Sequence, residues 1–181
     1  MKLHTLGPAA TDSNAAAEYY QNIEITQSIQ IELHQSYEEI LHNLRQYRGD
    51  YLLIPAAFQS ITGLSWGQTH YRYLDQLQLR KTFIHQLNPL VLVKKQGNNA
   101  QIGYTHAATA DLLRQLCPEL QEIRLCDSKF QAYQRYLKDG DVVLTNQKNL
   151  TKNDHLVQKL EVPMIWCLYY IKGENDHETA Q

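Results

Sequence analysis

Apolar and polar positions along this chain follow two different periods, and the switches between them mark out its elements. Lys2-Leu3-His4-Thr5-Leu6 reads as a short buried strand, and the alanine-rich residues 11–21 read as a helix. Over residues 36–47, Tyr37, Ile40, Leu41 and Leu44 fall on one face of a second helix, which Arg48-Gly49-Asp50 stops. Residues 51–55 form a short strand closed by Pro55. Residues 56–74 mix Gly, Ser, Thr and aromatics and predict an irregular loop long enough to be functional or lid-like. Within it, the alternation of Tyr71 and Tyr73 predicts an extended segment with one packed face. Two extended segments follow, residues 78–87 and 89–95, and then the polar break 96–100, read as a turn or a lobe boundary. The pattern restarts as strand, polar turn and helix over 101–116, strand, helix and glycine stop over 122–140, and strand over 141–146. Residues 159–172 read as one last apolar strand, and 173–181 as a frayed tail.

Strands alternating with helices predict an α/β fold with mostly parallel sheet, and the restart after Asn99 predicts two lobes. Ligands of open parallel sheets sit beyond the carboxyl ends of the strands. The loops beginning Gly7-Pro8, Pro55-Ala56, Thr105-His106 and Thr145-Asn146 are therefore expected to converge on one cleft. A helix start beyond such a strand favours an anion, because its first N–H groups lack partners and carry partial positive charge.

Composition narrows the function classes. The chain has 181 residues, 43% hydrophobic and 20% charged, with a formal net charge of -2, enough for one domain or two small lobes. Basic residues cluster no further than pairs such as Arg80-Lys81 and Lys94-Lys95, which argues against nucleic acid as a partner. Cys117, Cys126 and Cys167 are odd in number, far apart and set in or beside apolar segments, which fits reduced buried thiols in a cytoplasmic protein. No signal peptide and no membrane-length apolar run is visible, so neither export nor insertion is expected. Neither a metal nor a cofactor is expected.

Each candidate residue has two readings. Thr11 and Ser13 either cap a helix, which needs one hydroxyl, or hold an anion. Thr105-His106 is either a cap with a surface histidine or part of a site, and Asn146 either eases a turn or binds ligand. Met164 and Trp166 on an apolar strand are ordinarily core. No Ser-His-Asp order, paired metal-ligand spacing or phosphate-cradling glycine loop is present.

Beyond these residues, the stretch Thr5 to Tyr20 resembles the Gly-Pro-x-Gly-Thr opening of prephenate dehydratase domains. Gly7, Pro8 and Thr11 match it, while Ala10 stands where the second glycine is usual. Residues 51–58 resemble the family's strand-to-proline turn, and Thr105 and His106 match its Ser-His-Pro helix start. Residues 124–146 resemble the strand, helix and strand that follow, so the likeness runs from about Lys2 to Lys172. It implies a two-lobe mixed-sheet α/β sandwich, similar also to type II periplasmic binding proteins, with a ligand cleft between the lobes. It further implies interleaved lobes: residues 1–88 completed by the strand 162–172, residues 89–161, and a tail 173–181. The family's regulatory amino-acid domain is expected to be absent.

On their final strand dehydratases carry Thr-Arg-Phe, the threonine being tied to departure of the ring hydroxyl; Ile165, Trp166 and Cys167 stand there instead. Residues 162–174 resemble the Pro-Met-x-Trp-x-Leu segment of the prephenate decarboxylases that feed bacilysin-type antibiotic and related peptide pathways. The resemblance implies a cofactor-free lyase that takes carbon dioxide from prephenate without aromatising the ring, leaving a dihydro-4-hydroxyphenylpyruvate. An apolar wall at Ile165 and Trp166 disfavours the charged carboxylate more than the transition state. His106 is the expected proton donor. Thr11, Ser13, Pro55, Ala56, Phe58, Thr105, Asn146, Met164 and Trp166 are the expected binding residues. The expected partner is a small cyclic dicarboxylic acid, with a homodimer as a further expectation. Ala56, Ala57 and Phe58 occupy the place of a histidine in the decarboxylases, which keeps open a non-catalytic binding or regulatory protein on the same scaffold, and behind it a dehydratase using other residues.

Overall fold

The computed structural model describes residues 1–23, 29–97 and 100–173. Its elements in chain order are β1 (Lys2–Leu6), α1 (Asp12–Ile23), β2 (Gln30–His34), α2 (Tyr37–His42), β3 (Tyr51–Pro55), α3 (Trp66–Arg72) and β4 (Leu77–Gln86). There follow β5 (Leu90–Lys94), β6 (Ile102–His106), α4 (Ala110–Leu116), β7 (Glu122–Cys126), α5 (Lys129–Asp139), β8 (Val142–Asn146), β9 (Leu156–Leu160) and β10 (Pro163–Ile171). The chain divides into two compact units. The first holds Met1–Phe58, Leu64–His85 and the chain from Met164 onward; the second holds Gln59–Gly63 and Gln86–Pro163. The tail expected over 173–181 lies, from residue 174, outside the described residues, as do residues 98 and 99 of the polar break.

Both units are α/β, and each sheet is mixed rather than mostly parallel. Unit 1 orders its strands β2-β1-β3-β10-β4, with β1 parallel to β2 and β3, and β10 antiparallel to β3. Unit 2 orders them β7-β6-β8-β5-β9, with β6 parallel to β7 and β8, and β5 antiparallel to β8 and β9. The parallel strands in each come from a strand-helix-strand-helix-strand run, and the antiparallel ones from the connections back.

Central strands buried on both faces need unbroken apolar runs, and Leu52, Leu53 and Ile54 of β3 and Val142, Val143 and Leu144 of β8 are all fully buried. One face of the first sheet packs Leu52, Ile54, Cys167 and Tyr169 against Tyr37, Ile40, Leu41 and Leu44 from the α2 region. Ser36 starts α2 by accepting the Glu39 N–H, and the second half of the helix expected over 36–47 tightens into a 3-10 turn at Leu44–Tyr47. In unit 2, Ser128 caps α5 in the same way, and Gly140 ends it where a Cβ would lie 2.9 Å from the Tyr136 Cα.

Two expectations need correction. The stretch 56–74 is not wholly irregular, and Tyr71 is not on an extended segment, because Trp66–Arg72 is a helix. Ser65 accepts the Gln68 N–H while the Gln68 side chain accepts the Ser65 N–H, a reciprocal cap that nucleates α3. The single strand expected over 159–172 is two, β9 and β10, with Glu161 and Val162 between them.

Cys117, Cys126 and Cys167 are free and buried. Among the described residues no helix is long and apolar enough to cross a membrane, and no group of three or more His, Cys, Asp or Glu could hold a metal ion.

Candidate functional site

Strand direction gathers the candidates of unit 1. Because β1 and β3 are parallel and β10 runs against them, the ends of β1 and β3 and the start of β10 share one sheet edge, where Trp166 pairs with Pro55. The Ala56 N–H donates to the Ile165 carbonyl at 2.8 Å, fixing the turn after β3 against β10. Gly7 begins the turn after β1, with its N–H on the His34 carbonyl at 2.8 Å. A Cβ on Gly7 would lie 3.0 Å from the Leu33 Cβ, so a larger residue in this turn would crowd β2.

At the start of α1 the Thr11 hydroxyl donates to the Leu6 carbonyl at 2.8 Å and accepts the Asn14 N–H at 3.2 Å, which is the work of a helix cap. Ser13 turns inward, its Oγ 3.0 Å from the Tyr37 hydroxyl, which also meets the Thr5 hydroxyl at 3.3 Å. Full burial pushes the Tyr37 phenol up to about 12, so it stays neutral. Phe58 packs edge-on against the Tyr37 ring with centroids 5.0 Å apart, inside the core.

On β10, Met164 is half-buried, Ile165 is 50% exposed and Trp166 is 1% exposed. The Trp166 indole N–H donates to the His85 carbonyl at 3.3 Å. Burial pushes the neighbouring Cys167 thiol up to about 11, so it packs as a thiol and is no nucleophile at neutral pH.

His85 was not among the residues singled out from the sequence. Lys81, Phe83 and His85 alternate along β4 and share one face, and α1 covers that face with two tyrosines. Tyr19 stacks on His85 at 4.5 Å, Tyr20 on Phe83 at 5.7 Å, and the Lys81 ammonium lies 5.5 Å from the Tyr20 ring. Burial lowers the His85 pKa, and the negative charge of Asp12 in the first turn of α1 partly opposes that. The period-two pattern of residues 81, 83 and 85 was the available signal.

The candidates of unit 2 lie at the edge of its own sheet where β6 and β8 end. Thr105 is fully buried, its hydroxyl donating to the Leu144 carbonyl at 3.1 Å and lying 2.7 Å from the Thr109 hydroxyl. His106 Nδ1 accepts the Ala108 N–H at 3.3 Å, an assignment that leaves the proton of the neutral ring on Nε2. Asn146 is buried and pairs in register with Leu90.

At the opposite end of β3 and β10 is a cavity of about 100 Å³ whose lining includes Arg45, Arg48, Lys172 and Asp75. It stands apart from the edge that carries Trp166.

No protein-family model matches the chain, and no curated protein matches it. Solved structures of the same fold do. The prephenate dehydratase of Arthrobacter aurescens, solved in complex with L-Phe, is 13% identical with a TM-score of 0.58, over 96% of this chain and 61% of that one. The prephenate dehydratase of Staphylococcus aureus is 11% identical with a TM-score of 0.58, over 96% of this chain and 67% of that one. The periplasmic VFT2 domain of Bordetella pertussis BvgS is 14% identical with a TM-score of 0.59, over 94% of this chain and 80% of that one. The chain thus has the two-lobe α/β fold found both in prephenate dehydratases and in periplasmic VFT domains.

Proposed function

We propose that this protein binds a prephenate-like cyclic dicarboxylic acid and removes its ring carboxylate as carbon dioxide, keeping the ring non-aromatic. The observation that supports this reading most is the start of β10. Ile165 and buried Trp166 stand where the dehydratases it resembles carry a hydroxyl and a guanidinium, beside Pro55 and Ala56 of the turn after β3. An apolar wall there desolvates a carboxylate that becomes neutral carbon dioxide, and offers no acid to expel the ring hydroxyl. The bond from the ring to the carboxylate breaks, its electron pair forms a double bond within the ring, and a proton is taken up at the far end of the displaced double bond. On this reading the protein is a cytoplasmic, homodimeric lyase of the kind that supplies peptide-antibiotic pathways.

A second reading is a non-catalytic acid-binding protein. It is favoured by the turn after β3, where Ala56, Ala57 and Phe58 stand in place of the histidine of the decarboxylases the chain resembles and Phe58 packs into the core against Tyr37.

Incubation with prephenate at neutral pH, followed by NMR against a protein-free control, separates the readings. A decarboxylated, non-aromatic keto acid is the expected product. Phenylpyruvate above background would point to dehydratase chemistry, and unchanged prephenate with folded protein would leave the binding reading.

A further inference from the structure

We propose that the cavity at the far end of β3 and β10 is a binding site for a phosphate group, free or carried on a small metabolite. The inference concerns unit 1 alone and does not rest on the function proposed above.

The cavity, of about 100 Å³, is walled by three stretches of chain: the turn that follows α2, the turn that follows α3 and the end of β10. Arg45 and Arg48 come from the first of these. They stand three residues apart on the 3-10 turn Leu44–Tyr47 and its cap, and in that geometry residues i and i+3 eclipse, so both side chains leave on one side. Lys172 comes from the end of β10 and Asp75 from the turn after α3, while Leu44 and Ile171, each 1% exposed, give the cavity an apolar floor. Main-chain bonds lace the three walls together. The Gly49 N–H donates to the Ile171 carbonyl at 2.9 Å, the Ile171 N–H to the Asp50 carbonyl at 2.9 Å, and the Lys172 N–H to the Gln76 carbonyl at 2.8 Å. The Lys172 ammonium donates to the Leu74 carbonyl at 2.8 Å. The backbone that carries the charges is thus set before a ligand arrives, so binding has little ordering to bear.

The charges decide the class of ligand. Among the described lining residues three are positive, Arg45, Arg48 and Lys172, and one is negative, Asp75, which leaves an excess of two positive charges. The chain as a whole carries a formal net charge of -2, so the excess is local. Like charges around one concavity repel each other and focus a positive field into it, and an anion relieves the one while using the other. A phosphate group carries about -1.5 to -2 at neutral pH, close to that excess. Each guanidinium fork can meet two of its oxygens with paired N–H donors, and an ammonium adds a point charge. One water needs about 10–15 Å³ of such space, so the cavity admits a group several waters in size. Asp75 opposes an anion, and its removal should therefore act in the opposite direction to removal of an arginine.

The test is titration calorimetry of the full chain with inorganic phosphate, at neutral pH in a chloride buffer of low ionic strength. The expected result is a saturable heat at about one phosphate per chain, weakened by added sodium chloride. Arg45→Gln should bind about tenfold more weakly. Asp75→Asn should bind severalfold more tightly, a gain that damaged folding cannot produce. Glycerol 3-phosphate separates the two sources: binding at least as tight as that of phosphate assigns the cavity to a phosphorylated metabolite, and binding of phosphate alone assigns it to the free ion. Succinate, a dicarboxylate, should bind more weakly than phosphate, and tighter binding by succinate overturns the assignment to phosphate. No saturable heat with folded wild-type protein overturns the site. Phosphate binding unchanged in both Arg45→Gln and Asp75→Asn overturns its location in this cavity.

Discussion

His4 and His34 meet ring to ring across neighbouring strands, with His4 Nδ1 2.8 Å from His34 Nε2. His4 is 1% exposed, its Nε2 lies 3.3 Å from an Asp50 oxygen, and Tyr47 stacks on it at 4.1 Å; His34 Nδ1 lies 3.5 Å from Glu39. A nitrogen-to-nitrogen hydrogen bond needs one donor and one acceptor, so it cannot stand with both rings doubly protonated.

Burial lowers the His4 pKa more than the Asp50 hydrogen bond raises it, with His34 lowering it further. The fold therefore prefers neutral His4. That contribution is fully present above the ordinary histidine pKa of about 6.5 and is lost as pH falls through the lowered folded value. The urea midpoint of the wild type should decline below that pH, and His4→Gln should flatten the decline. An equal decline in the variant would place the acid sensitivity elsewhere.

Tyr37 joins Thr5 and Ser13 in a buried hydroxyl cluster. Tyr37→Phe should cost about 1–3 kcal/mol, because two buried hydroxyls lose a partner. Combining it with Ser13→Ala should cost less than the two single changes added, since they share a bond. Urea unfolding of the three variants measures the coupling, and simple additivity would count against the cluster.

Thr11 carries both the Leu6 and the Asn14 contacts of the α1 cap. Thr11→Ala should lower stability by about 1 kcal/mol, and Thr11→Ser should restore most of it. If Thr11 also holds the acid, the alanine variant will bind prephenate more weakly under conditions where it is fully folded.

Trp166→Ala should cost about 3–5 kcal/mol through the cavity it leaves. Trp166→Phe should cost less in packing and isolates the loss of the donor to the His85 carbonyl. Trp166→Arg should damage folding and turnover of prephenate together. Unchanged stability and kinetics in the arginine variant would remove the proposed wall.

Much of the fold was legible from periodicity. The strand at residues 2–6 coincides with β1, and the apolar runs at 51–55 and 141–146 contain β3 and β8, because strands buried on both faces leave little ambiguity. The β2 strand was missed although Ile31 and Leu33 alternate with Gln30, Glu32 and His34, since a half-buried edge strand gives a short, weak signal. α3 was missed because glycine and aromatic residues weighed more than the Ser65-to-Gln68 spacing of its cap. For the site, chain order pointed to the turn after β1 and to β10, but His85 becomes relevant only through a main-chain contact with Trp166, 81 residues away. Non-local contacts of that kind leave no local pattern.

The insertion of Gln86–Pro163 between β4 and β10 has a consequence for the order in which the protein is made. In the first sheet β10 lies between β3 and β4, so those two strands emerge from the ribosome well before the strand that joins them. Until it arrives each presents an open edge to other nascent chains. The unit that begins synthesis first is therefore the one that closes last, and its exposure to misassembly is set by the time needed to translate the inserted unit.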